Sequence, residues 1–112
     1  MNFTAIDFET ADYGSDSACA LGIVVVRSGR IAKKQYFLVR PPRENFIFTY
    51  IHGITWSDVR DQENFKQLWP RIEPLISGDF IAAHNASFDR GVLAACCAQA
   101  GFDAPRRPFL CT

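Results

Sequence analysis

Two short segments concentrate the groups able to do chemistry. In Ile6-Asp7-Phe8-Glu9-Thr10, two carboxylates stand one residue apart inside an apolar stretch. Side chains alternate across a strand, so Asp7 and Glu9 would share one face, about 6–7 Å apart along the backbone. Carboxylates that close repel unless something positive lies between them, and an oxygen-only donor set selects Mg²⁺ or Mn²⁺ over zinc. A solvated strand end has the same spelling, so the pair alone leaves both readings open. The second segment is Ala83-His84-Asn85-Ala86-Ser87-Phe88-Asp89. Asp89 falls in the first turns of an expected helix, where the positive end of the dipole suits an acid. It is either that helix-start acid or a third member of a carboxylate cluster facing the first strand. His84 reads equally well as a structural histidine at a strand end.

Holding such acids together takes a sheet and a helix, and the hydrophobic pattern supplies both. Phe3 to Phe8 and the apolar run Ala20 to Val26 read as strands, the second one buried. Ser28-Gly29 signals a tight turn into a third strand over Ile31 to Val39, which Pro41-Pro42 ends. Arg43 to Asp61 shows no clear period and is expected to be an ordered loop. Phe65, Leu68, Trp69, Ile72, Leu75 and Ile76 fall on one helical face, which Pro70 and Pro74 should interrupt. Phe80 to Ala83 predicts a short buried strand. Asn85 is the expected N-cap of a helix running to Gly101, and Phe109 to Cys111 starts another strand. The order βββαβα(β) predicts an α/β fold: a three-stranded antiparallel meander followed by α/β units.

With 112 residues the chain has room for one domain. A hydrophobic share of 48%, with ten Phe, excludes wholesale disorder and allows a real core. No charged leader precedes an apolar segment, and no apolar run approaches membrane-spanning length. The expectation is therefore a cytoplasmic chain with no membrane association. Cys19, Cys96, Cys97 and Cys111 form no C-x-x-C, which favours reduced thiols. Net charge is zero, but the charges are segregated. Asp7, Glu9, Asp12 and Asp16 precede any base, whereas Arg27, Arg30, Lys33, Lys34, Arg40 and Arg43 follow without an acid among them. An acidic pocket beside a basic rim would suit a polyanion held near metal ions, and a solvated hairpin face is the competing reading.

Asp7-Phe8-Glu9-Thr10 with His84-Asn85-Ala86-Ser87-Phe88-Asp89 resembles the first two motifs of the DEDD 3′–5′ exonucleases. That superfamily includes the epsilon proofreading subunit of bacterial DNA polymerase III. Ile51-His52-Gly53-Ile54-Thr55, Asp58-Val59 and Trp69-Pro70-Arg71-Ile72 resemble the same family, and the Ile51-His52-Gly53-Ile54-Thr55 loop favours its histidine-type (DEDDh) branch. The resemblance implies an RNase H-like exonuclease fold, with Asp7, Glu9 and Asp89 as catalytic ligands of Mg²⁺ or Mn²⁺, two ions about 4 Å apart in a complete domain. It also implies that Thr10, His52, Asn85 and Phe88 bind the terminal nucleotide. The implied partner is nucleic acid, a single-stranded DNA 3′ end first, with DNA polymerase subunits as further partners in proofreading or repair.

One part of the family pattern is missing. A third motif supplies a water-activating His or Tyr and a fourth metal-binding Asp, yet after Asp89 the only acid is Asp103, and no His or Tyr follows. The expectation is one exonuclease domain over residues 1–112, C-terminally truncated, inactive alone and prone to self-association. An RNA-trimming exonuclease and a non-catalytic nucleic-acid-binding or polymerase-partner module are the competing functions.

Overall fold

The computed structural model describes residues 1–112. It contains strands β1 (Phe3–Thr10), β2 (Ala18–Arg27), β3 (Arg30–Leu38), β4 (Phe80–Ala83) and β5 (Phe109–Cys111). The helices are α1 (Thr49–His52), α2 (Trp56–Val59), α3 (Phe65–Ile72) and α4 (Ala86–Ala100). One mixed sheet runs in the order β3-β2-β1-β4-β5. β1 pairs antiparallel with β2, and β2 antiparallel with β3. β1 and β4 are parallel, as are β4 and β5. This is the expected meander followed by α/β units, in the RNase H-like arrangement.

The β2–β3 turn shows how local chemistry sets register. Ser28 (φ 53°) and Gly29 (φ 74°) both take positive φ, the requirement of a two-residue turn matched to strand twist. β2 is the most apolar strand and lies between two neighbours. β3 is an edge strand, exposed along most of its length. Gly78 (φ 92°) passes so near the start of β1 that a Cβ there would lie 2.7 Å from the carbonyl of Asn2. Only glycine lets the chain enter β4 beside β1.

Ile6, Phe8, Leu21, Ile23 and Ile81 point to one sheet face and form the core with Leu68, Trp69, Ile72, Val92 and Leu93 of α3 and α4. Asn64 and Gln67 close a reciprocal capping box on α3. Pro70 lies within α3, and the chain passes after Ile72 into a 3₁₀ turn containing Pro74, the interruption expected of these prolines. Two expectations are corrected. The segment Arg43 to Asp61 is not simply a loop: it forms α1 and α2, which a second small cluster (Ala11, Cys19, Ala20, Ile54, Val59) ties to the ends of β1 and β2. The local signal for α2 is Thr55-x-x-Asp58, which forms a capping box. Asn85 stands at the N-cap position of α4 but makes no capping hydrogen bond. Its φ of 57° places it in the left-handed region, whereas a capping side chain reaches the first amides from extended backbone. No helix is long and apolar enough to cross a membrane.

Candidate active site

The site forms where β1 and β4 part. Their pairing stops at Ala5↔Ala82, so the rest of β1 continues without β4 beside it. The C-terminal ends of parallel strands are where open α/β sheets offer a crevice. Burial alternates along β1: Ile6 and Phe8 go into the core, and Asp7 and Glu9 take the other face, Asp7 exposed and Glu9 half-buried.

α4 begins just past β4 and carries Asp89 back toward β1. Asp89 is 2% exposed, and its Oδ1 accepts the backbone N–H of Phe8 at 2.9 Å. That amide lies between Asp7 and Glu9 in the chain, so the third carboxylate is docked against the pair. Burial pushes the Asp89 carboxyl up to about 6, opposed by the Phe8 N–H and reinforced by the charges of Asp7 and Glu9. None of the three acids forms an ion pair. An all-oxygen donor set with surplus negative charge and no ion-paired base fits a hard divalent cation in chemistry. As the side chains stand, however, no three His, Cys, Asp or Glu residues gather into a cage for an ion.

Beside Glu9 lies a cavity of about 210 Å³ lined by Phe8, Glu9, Thr10, Phe48, Ile51, His52 and Phe88. Thr10, His52 and Phe88, expected at a nucleotide site, are thus brought together there. Asn85 is not among the lining residues, and His84 is exposed on the turn before α4. Phe48 is not legible in the sequence as a site residue, because its segment shows no clear period. Tyr13, itself exposed, meets Phe48 edge to face with ring centroids 5.0 Å apart.

His52 has a defined tautomer. Its Nδ1 accepts the N–H of Ile54 at 3.0 Å, which leaves the neutral ring's proton on Nε2, donated to the Thr10 carbonyl at 2.9 Å. The imidazole therefore clamps the α1 loop onto the end of β1, and its polar atoms serve that clamp. A bulge in β2 accompanies it: Glu9 pairs with Ala20 but Thr10 with Ala18, leaving Cys19 as the extra residue.

The basic segment does not form one continuous rim. Arg43 bonds Asp12 at 2.9 Å and Asp16 at 2.6 Å, Arg40 donates to the Gln62 carbonyl, and Arg27 donates to Ser77 and the Val26 carbonyl. Of the six bases, Arg43 alone pairs with the acidic stretch, through Asp12 and Asp16.

The chain belongs to the exonuclease family: the Exonuclease (RNase_T) family model matches residues 4–112. Among solved structures it is similar to Exonuclease X in complex with 5′ overhanging duplex DNA, at 28% identity and a TM-score of 0.74. That match covers 96% of this chain and 58% of the other. The nuclease domain of 3′hExo, a DEDDh family member bound to rAMP, matches at 18% identity and a TM-score of 0.71, over 94% of this chain and 62% of that one. A 3′-exonuclease described in 3′-end recognition of a histone mRNA stem-loop matches at 18% identity and a TM-score of 0.74, over 93% and 43%. The chain thus spans less than two thirds of the length of these structures. A search of curated proteins returns no significant match.

Proposed function

We propose that this chain carries the carboxylate half of a metal-dependent 3′–5′ exonuclease site that acts on DNA. One observation carries the reading: Asp89 is buried, unneutralised and bonded to the amide that separates Asp7 from Glu9. Burying an acid that no base neutralises costs stability, and a bound cation would remove that cost. Asp7, Glu9 and Asp89 would hold Mg²⁺ or Mn²⁺, which when bound supplies a nucleophilic water and charge stabilisation at phosphorus and the leaving oxygen. The cavity of Phe8, Thr10, Phe48, Ile51 and Phe88 takes the terminal nucleoside, with aromatic edges for the base, and His52 holds the wall in place.

The 28% identity to a nuclease solved on DNA supports DNA over RNA. The finer reading, a proofreading enzyme of the polymerase III epsilon type with polymerase subunits as partners, is supported by the motif resemblance. The test is Mn²⁺-dependent release of mononucleotides from 3′-labelled single-stranded DNA and RNA, with this chain and with a chain that also carries the third motif. Metal-dependent release from DNA ends is expected in the second, and equal rates without metal would overturn the reading.

A further inference from the structure

A second concave site lies across α4, in a cavity of about 450 Å³ between that helix and the segment leading to β5. Three arginines converge on it: Arg90 from α4, and Arg106 and Arg107 from the connection. No acid lines the cavity, and the ion pairs of the chain use Arg43, Arg60 and Arg71 instead. The remaining wall is largely apolar, with Leu93, Pro105 and Phe109. Three unneutralised guanidinium groups on one hollow repel each other, and that arrangement is relieved by an anion.

Two of the three arginines, Arg90 and Arg107, are held rather than loose. The Arg90 guanidinium lies over the Phe109 ring, 5.9 Å from its centroid. Arg107 Nε donates to the Gly78 carbonyl at 3.0 Å. The connection is anchored at both ends, by Phe102 N–H to the Cys97 carbonyl at 2.8 Å and Ile81 N–H to the Pro108 carbonyl at 2.9 Å. A guanidinium fork fixed in this way matches phosphate oxygens bidentately.

We propose that this cavity binds the phosphodiester backbone of a nucleic-acid strand, away from the carboxylate site. Arg90 follows Asp89 directly, and neighbours on a helix diverge by about 100°. The two sites therefore open on different sides of the same first turns of α4. The apolar wall gives the sugar a surface that a free phosphate ion would not use. The assignment rests on the nucleic-acid reading above but does not require catalysis.

The test uses this chain in EDTA, where nothing is hydrolysed, with fluorescein-labelled oligothymidylate followed by anisotropy across a salt series. Arg90→Gln with Arg106→Gln should weaken binding about tenfold and lower the log K against log salt slope by about 1.4, two contacts at about 0.7 each. Arg90→Lys with Arg106→Lys, which keeps the charge, should retain most of the slope. Thermal melts check that each variant folds. An unchanged slope in the glutamine variant, or no binding by the parent chain, overturns the proposal, as does equal affinity for inorganic phosphate per phosphate group. Oligonucleotide binding lost in the glutamine variant, together with no Mn²⁺ binding at Asp7 and Asp89 by paramagnetic resonance, would sink the exonuclease reading and leave this site standing.

Discussion

The carboxylate of Asp89 accepts the backbone N–H of Phe8 at 2.9 Å, across a separation of 81 residues. Beyond Ala5, β1 has no β4 partner, and Asp89 satisfies an amide that the sheet leaves free. The same bond holds a buried charge beside Asp7 and Glu9. Structure and chemistry are therefore coupled in one side chain, and they can be separated by experiment.

Asp89→Asn keeps an oxygen that can accept the Phe8 N–H and removes the charge. The carboxyl stands near 6 when folded and near 3.8 when unfolded, so its contribution to stability is present below about 3.8 and lost as pH rises through about 6. In EDTA at about pH 8 the variant should be more stable than the parent by about 3 kcal/mol at most. The difference should close toward about pH 4, and denaturant unfolding at both pH values checks it. A variant less stable at about pH 8 would show that the charge is neutralised in the fold.

Metal should reverse that ranking. A cation that binds only the folded chain raises its stability by mass action. Excess Mn²⁺ should therefore raise the melting temperature of the parent, with little effect on Asp7→Asn or Asp89→Asn. In a chain that also carries the third motif, either substitution should lower nucleotide release by at least about 10²-fold. Parent-like rates in these variants would remove the acids from the site.

These residues alone should be poor catalysts. After Asp89 the chain offers neither His nor Tyr to activate water, and His52 is engaged at both ring nitrogens. Missing general-base catalysis predicts a rate about 10²–10⁴-fold below that of a chain with the third motif. Rate per mole at saturating Mn²⁺ decides this. Light scattering on the same sample tests the expected self-association, for which exposed Ile31, Tyr36 and Leu110 on the edge strands β3 and β5 supply the surface.

Arg43→Gln should destabilise the fold by about 1–2 kcal/mol near neutral pH, since Asp12 is buried and loses its main partner. The half-exposed, screened position of Arg43 keeps the loss modest. Hydrogen bonds from Arg43 hold the carboxyls of both Asp12 and Asp16 below the ordinary 3.8. Stability from depressed acids is present above that value and lost as pH falls through their folded values. The gap between parent and variant should therefore shrink below about pH 3.8, as measured by chemical unfolding across pH.

The elements that depend on periodicity could be read directly from the residues. Alternation put Asp7 and Glu9 on the face opposite Ile6 and Phe8, Ser28-Gly29 signalled a tight turn, and Pro70 and Pro74 marked the break after α3. Each of these is a local property of covalent geometry and side-chain spacing. What crosses the chain needed the tertiary structure. Whether Asp89 was a helix-start acid or a docked carboxylate depended on where β4 leaves β1. The basic run acquired its meaning only when Arg43 met Asp12 and Asp16, and His52 became a clamp because the β1 end lies under α1. Asn85 has an N-cap residue's chemistry, but the turn out of β4 holds it left-handed and keeps its side chain from the cap. In each case the deciding partner is far away in sequence, and spacing along the chain carries no record of it.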